Sequence, residues 1–343
     1  MTESRTFTIL LSHSNRPVDF AQCSLDALTQ RYADTTRLDR LPPLDSLAPA
    51  DRQRHIPAGL TVLTLSLDGD TATLTPAATF DPPGRKVQHA ALVGDRLVVC
   101  LEDALLYFAD AGPGSLPAVL DVADARWIDD PWFSGLHTVF ASGTDRCIVS
   151  ASAPDAVLEV DLATDRVVAR NRLPEAIYGR NYPLSADDDL RRHYVSNDFQ
   201  LTHINCASPD GQDGIVLSTL IQGDIGLFDA GGDYRIVSHG HIGCHAARAT
   251  ADGEAFYFAD SCNGVLVVID RAGKELRRFA VDSRWLHDVQ QVADDLFLFC
   301  TSDSNSLELI DIASGRVWLS ERFDARGGAT QFVNIASHPV DTR

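Results

Sequence analysis

Along most of this chain the apolar residues come in short runs, each broken by a polar turn, and the runs recur in one order. Those at 148–152, 256–260 and 296–301 are rich in Val, Ile, Leu and Phe, and further runs at 157–160 and 265–269 follow a polar turn. Runs of that length and composition are strands. Asp-Gly, Asn-Gly, Gly-Asp and Ser-Gly pairs mark the turns between them. No long segment with a 3.6-residue period competes over 60–343.

Each unit of this pattern opens on a histidine. From His203 the chain reads HINCASPDGQDGIVLSTLIQGDIGLFD, from His245 HAARATADGEAFYFADSCNGVLVVID, and from His287 HDVQQVADDLFLFCTSDSNSLELID. His137 opens HTVFASGTDRCIVSASAPDAVLEVD, and His89 opens the shorter HAALVGDRLVVCLEDALLYFAD. Each unit closes on an aspartate: Asp110, Asp161, Asp229, Asp270 and Asp311. Successive histidines are 48, 66, 42 and 42 residues apart. A period near 42 with three or four short strands per unit predicts the blades of a β-propeller.

The two ends complete the count. TQFVNIAS near the C-terminus matches LTHINCAS around His203, with Phe332 at the histidine's place and Asn334 at the place of Asn205. The run 7–12 reads as the second strand of a blade that lacks a first, and 60–80 reads as its outer hairpin. The expectation is an all-β, six-bladed propeller, closed by pairing of 331–337 with 6–12 in one mixed blade. The alternative is seven blades, the extra one lying in the 66-residue interval. One domain over 1–343 accommodates either, with insertions at 14–58 and 170–202. The first insertion holds the one helix-like segment, with Phe20, Leu25, Leu28 and Tyr32 along one side, as a lid over the channel mouth.

Five histidines in register change the picture. Closing the units into a ring brings His89, His137, His203, His245 and His287 to the start of the innermost strands, around the channel. Packing does not require imidazole there, and imidazole suits iron, copper, zinc, nickel and manganese. The expected cofactor is a divalent transition metal, iron first and copper or zinc next, held by at least three of the five. No carboxylate accompanies the ring, so an open position beside the metal favours an anion or a dioxygen-derived species. Phe332 leaves a gap at the sixth place, with Asn334 beyond it as a hydrogen-bond partner. His239 and His241 lie just ahead of His245 and could add a ligand or a proton shuttle.

The pattern resembles histidine-lined metal propellers in general. Carotenoid cleavage oxygenases are similar in holding iron with four histidines at a propeller hub, and nitrous oxide reductase in using a histidine ring there for copper. Oligogalacturonate lyases and periplasmic zinc-chaperone propellers also place histidines near this mouth. The resemblance covers the blades and the five histidines and no longer motif. The oxygenases have seven blades and acidic partners behind their histidines, which this sequence does not supply.

Aromatic and basic residues near the same mouth suggest a small-molecule pocket. Trp132, Tyr178, Tyr182, Trp285 and Phe332 are its candidate walls, and Arg180 and Arg284 its candidate grips on a substrate carboxylate. The tryptophans could equally be wedges between blades. Asn334 and Arg180 are the candidate catalytic groups beside the metal. These residues point to a metal-dependent enzyme acting on a small organic molecule, an oxidoreductase or oxygenase first and a lyase as the close variant. A metal carrier, a ligand-binding propeller and a protein-interaction scaffold are the alternatives.

Composition removes other classes. A net charge of −19 and the lack of a basic stripe argue against nucleic acid. No run of 18 apolar residues and no signal-peptide pattern is present, so no membrane partner is expected and the location expected is cytoplasmic. Seven cysteines cannot all pair with one another, and Cys100, Cys147 and Cys300 sit inside apolar strands as small hydrophobes. There is no P-loop, no GxSxG and no CxxC. Oligomeric state is not legible.

Overall fold

The computed structural model describes residues 4–14, 58–69, 71–82, 86–111, 115–116, 118–180, 182–185, 187–193, 200–323 and 329–335, the last stretch by backbone only. Within them lie six four-stranded antiparallel sheets, arranged as the six blades of a propeller. Blade 1 holds β1 (Arg5–Ser14), β2 (Ala58–Asp68) and β3 (Thr71–Phe80). Blade 2 is β4 (Val87–Val93), β5 (Arg96–Leu101), β6 (Leu105–Phe108) and β7 (Arg126–Ile128). Blade 3 is β8 (Leu136–Ala141), β9 (Arg146–Ala151), β10 (Ala156–Asp161) and β11 (Arg166–Arg172). Blade 4 is β12 (Ile204–Pro209), β13 (Ile215–Thr219), β14 (Ile225–Phe228) and β15 (Tyr234–Ser238). Blade 5 is β16 (Cys244–Ala249), β17 (Ala255–Asp260), β18 (Val265–Asp270) and β19 (Glu275–Ala280). Blade 6 is β20 (Leu286–Ala293), β21 (Leu296–Thr301), β22 (Ser306–Asp311) and β23 (Arg316–Arg322).

The last strand, β24 (Ala329–Ile335), returns to blade 1 and pairs with β1 as its innermost strand. Ile9 faces Ile335 and Ser14 faces Ala329, a small displacement from the pairing the sequence predicts. Blade 1 therefore has the order β24-β1-β2-β3, built from both ends of the chain. Otherwise β1 would present a bare row of amides and carbonyls.

Two apolar faces per blade explain why the middle strands read as continuous hydrophobic runs. All six residues of β17 and of β21 are buried. Six clusters form the core, and each joins a pair of neighbouring blades. Trp132 belongs to the cluster between blades 2 and 3, where the guanidinium groups of Arg170 and Arg172 lie over its ring at 5.5 and 5.6 Å. It is a wedge between blades, the second of the two roles weighed for it.

The repeated aspartates are turn formers. One carboxylate oxygen of Asp161, Asp270 or Asp311 accepts backbone N–H groups two to four residues on, and Asp229 does the same. These Asx turns close the hairpin between third and fourth strands. The described part of 170–202 adds no blade. Its start belongs to β11, and beyond that it has one helical turn at Glu175–Tyr178 and a 3-10 turn at Leu190–Arg192. Tyr182 anchors it by donating its hydroxyl to the carbonyl of Ala153, and packs with Ala153 and Leu190. Tyr178 is likewise buried, hydrogen-bonded to Asp224 at 3.1 Å and Tyr234 at 2.7 Å. The helix expected in 14–58 lies outside the described residues. Six of the cysteines are free thiols, five of them buried. Among the described residues no helix is long and apolar enough to cross a membrane.

Removing residues 329–343 strips the inner strand from blade 1 and bares β1. Loss of a cooperative thermal transition is the expected result, read by circular dichroism. An unchanged melting temperature would show that β24 does not close the ring.

Candidate functional site: a histidine ring at the hub

The inner strands share a local irregularity that sets the site. Each begins paired to the end of the second strand: Val87 faces Leu101, Leu136 faces Ala151, Ile204 faces Thr219, Cys244 faces Asp260 and Leu286 faces Thr301. A β-bulge follows at once in blades 2, 3, 4 and 6, and one residue later in blade 5, where His245 still pairs with Ala259. Bulges re-aim the side chains beside them. The residue next after the paired one is Gln88, His137, Asn205, His245 and His287 in blades 2 to 6. In blade 1, His13 faces Thr330 and Ser12 faces Phe332, so the bulge leaves Gln331 at that place.

The structural register thus differs from the sequence alignment. His137, His245 and His287 are equivalent. His89 lies one residue too late and His203 two residues too early. Phe332 occupies the place of His89 and Asp288, and Gln331, not Phe332, takes the sixth ring place. The side chains of Phe332 and Asn334 lie outside the described residues.

Four rings nevertheless converge. The imidazoles of His137 and His203 have centroids 4.7 Å apart, and those of His245 and His287 are also 4.7 Å apart. His137 feels the charge of His203, Lys86, His245 and His287. Burial holds His137 and His287 well below the usual imidazole range, helped at His137 by His203 and at His287 by His245, and Lys86 pushes both further. Burial lowers His245 to about 4. His137, His245 and His287 are therefore neutral at pH 7, with the Lys86 ammonium as their nearby positive charge.

Nδ1 of His245 lies 2.7 Å from the Gly243 carbonyl and 2.8 Å from the Ser261 hydroxyl. A carbonyl only accepts, so Nδ1 carries the hydrogen and Nε2 keeps its lone pair. Nδ1 of His287 lies 2.8 Å from the Ser302 hydroxyl, a group that can donate or accept. Trp285 stands against both rings, at 5.3 Å from His245 and 5.9 Å from His287, and joins Leu220, Ile221, Ile242 and Cys262 in an apolar wall. The Nε1 of Trp285 and the Oε1 of Gln88 are buried without a hydrogen-bond partner among the described residues.

A second layer lies one step deeper. Asp288, turned away from the ring beside His287, pairs with Arg248 at 2.7 Å, both almost fully buried. Arg248 reaches from blade 5 to donate to the carbonyl of Val289 in blade 6, and lies 5.0 Å over Phe140 of blade 3. His89 packs on the same Phe140 at 5.0 Å, and its Nδ1 accepts the backbone N–H of Val139 at 3.3 Å. Burial, then the Arg248 charge, lowers His89 to about 3. His89 thus belongs to this plug and not to the ring.

Other candidates lie elsewhere. Arg180 is paired with Glu175 at 2.6 Å. Arg284 is exposed in the loop before β20, its backbone N–H donating to Asp303 at 2.7 Å. His241 packs on Phe258 and lies 2.9 Å from the Ser238 hydroxyl, and His239 is exposed. Gln88, Lys86 and the Arg248–Asp288 pair escaped the sequence reading. Only Gln88, directly before His89, carried a signal, visible once the bulge is known. Among the described residues no three His, Cys, Asp or Glu side chains are grouped so as to hold a metal ion.

No family model matches the chain, and neither does any curated protein. Solved structures do. A propeller from a nidogen/laminin complex superposes with a TM-score of 0.59 at 10% identity, covering 81% of this chain and 95% of that one. Virginiamycin B lyase from Staphylococcus aureus gives 0.51 at 9% identity over 94% of this chain and 89% of that one. Its catalytically inactive histidine-to-alanine variant with quinupristin gives 0.52 at 10% identity over 80% and 83%. At such identities the likeness is one of fold: a six-bladed propeller.

Two measurements check the layers. Removing one partner of a buried ion pair leaves an uncompensated charge. Asp288→Asn should cost about 3–5 kcal/mol in urea unfolding, and Arg248→Met combined with Asp288→Leu should recover most of it. The second concerns acid. Folded His89 and His245 titrate near 3 and 4, against about 6.5 when unfolded. The unfolded chain therefore binds more protons below pH 6.5. Stability is full above that pH and falls by about 1.4 kcal/mol per pH unit for each such histidine as acid is added. His89→Gln should reduce that slope by about one proton's worth; an unaltered slope would show that His89 is not buried neutral.

Proposed function

We propose that this propeller is an enzyme that takes a small organic anion at the histidine ring and acts on it by proton transfer, as a lyase. The observation that carries the reading is the fixed tautomer of His245, whose Nδ1–H is held by Gly243 so that Nε2 is a free base in a water-poor wall. The ring contains no carboxylate, and the Lys86 charge falls on it, which favours a negative substrate. Trp285 offers an apolar face and an unused N–H, and Gln88 an amide. Abstraction of a substrate C–H proton by Nε2 places the electron pair in a new double bond as the leaving group departs. Virginiamycin B lyase, whose histidine-to-alanine variant is catalytically inactive, has this fold, so the fold is compatible with a lyase that needs a histidine.

The second reading is metal dependence, favoured by four converging imidazoles, two of them with Nδ1 already hydrogen-bonded, although no three are grouped around one point as the chain stands. His137, His203, His245 and His287 would be the ligands, of iron first and copper or zinc next, and a bound metal would polarise the substrate or supply redox chemistry. The nidogen/laminin neighbour keeps a protein-binding role in view, for which no feature of the ring speaks.

The test is a thermal-shift screen of small carboxylates and lactones against wild type and His245→Ala. A ligand at about 100 times its Kd stabilises by about 2.7 kcal/mol. Hits that stabilise wild type, are turned over, and fail with His245→Ala support the reading; hits indifferent to His245, or none, overturn it. Elemental analysis and cobalt(II) titration of the same samples decide the metal: a metal-free protein that develops no cobalt absorption has no such site.

A further inference from the structure

His203 reaches the ring by an unusual route. It stands before β12, outside the inner strand, with φ of 51°. The equivalent residues in blades 3 and 5 are Gly135 and Gly243, with φ of 63° and 68°. The equivalence is fixed by the hydrogen bonds that cap the second strands: Ser152 N–H donates to Gly135 and Leu220 N–H to His203, at 2.9 and 3.0 Å. Glycine takes this left-handed backbone freely, whereas a residue with a Cβ is disfavoured there. Such strain persists only where the surroundings over-determine it.

One side chain of a neighbouring blade takes a central part in this. Asp155 sits in the turn between β9 and β10 of blade 3. Its carboxylate accepts the Thr202 hydroxyl and lies close enough to the backbone N–H groups of Thr202 and His203 to feel both. The turn is itself fixed, since Asp155 N–H donates to Ser152 at 3.2 Å and its carbonyl accepts Leu173 N–H at 2.9 Å. The Arg180 charge falls on the same carboxylate. Segment 201–203 has other ties, from Leu220 and Gln222, but these come from its own blade. From blade 3, the blade that supplies His137, come Asp155 at Thr202 and the Ser152 hydroxyl, which donates to the carbonyl of Ile204 at 2.9 Å; of the two only Asp155 engages the segment ahead of β12.

We infer that Asp155 is a positioning residue, holding His203 in the left-handed conformation that lays its ring beside His137 and brings a fourth imidazole to a ring whose own blade supplies Asn205 at the regular place. The value of that ring rests on the proposed function; the clamp itself does not. Without the carboxylate, segment 202–203 relaxes toward extended backbone and the imidazole swings off His137.

Asparagine keeps an acceptor oxygen at the same reach, and alanine keeps none. With histidine selectively labelled, wild type should show a cross-relaxation peak between the His137 and His203 rings and slow amide exchange at Thr202 and His203. Asp155→Ala should lose the peak and speed exchange at those two amides roughly tenfold, and Asp155→Asn should restore both. A merely structural carboxylate would lower global stability without this pair-specific loss and rescue. If Asp155→Ala does not fold, Asp155→Ser, too short to span both amides, is read instead. Retention of the peak in the alanine or serine variant, or failure of the asparagine variant to restore it, overturns the inference. The readout uses no substrate. A clamp that behaves as expected in a protein that binds no carboxylate would discard the proposed function alone.

Discussion

Everything in this molecule depends on one strand finding its place. A sheet of three strands at the end of a circular array has an unpaired edge, and six blades close only if the last residues supply what the first blade lacks. β24 does this by pairing with β1. The pairing links residues more than 300 positions apart, so the loop that it closes is nearly the whole chain. The six interblade clusters and the hub follow from it, because each inner strand faces the axis only within a closed ring. The low sequence separation inside blades 2 to 6 makes them local units, and the mixed blade is where the long-range ordering cost falls.

Inside that frame, register decides chemistry. A bulge near the start of each inner strand turns one residue toward the mouth and the next toward the deeper layer. Histidines that the repeat aligns at one place therefore belong to different layers. His287 faces the ring and Asp288 the plug. His89, shifted by one, joins Arg248 and Phe140, and the amide of Gln88 holds its ring place. His203 is the reverse case, a residue outside the strand brought in by a backbone conformation that blades 3 and 5 achieve with glycine.

The architecture was legible because it is written in spacing. Strand length, turn pairs and the period near 42 residues are properties of neighbours along the chain, and the return of β24 was visible in a residual match to a first strand. The repeated aspartates were equally visible, though their role as Asx-turn acceptors was not. What escaped depends on atoms that meet only after folding. Arg248 and Asp288 occupy different units, and nothing in either sequence context marks them as partners. The bulge shifts the histidine register without any insertion to reveal it. Trp132, Tyr178 and Tyr182 carry the same side chains whether they line a pocket or wedge blades, and only the packing shows that these three wedge and anchor while Trp285 stands at the ring.

The Arg248–Asp288 pair also governs traffic. A propeller hub is in principle a tube, open to solvent at two ends. Here side chains from four blades meet across it one layer below the histidines, and the guanidinium is held by both a carboxylate and a main-chain carbonyl. The tube becomes a cup. On the proposed function, substrate and product would share one mouth, so a product must clear the cup before the next molecule is admitted, and the linking loops that frame this mouth select what reaches the imidazoles.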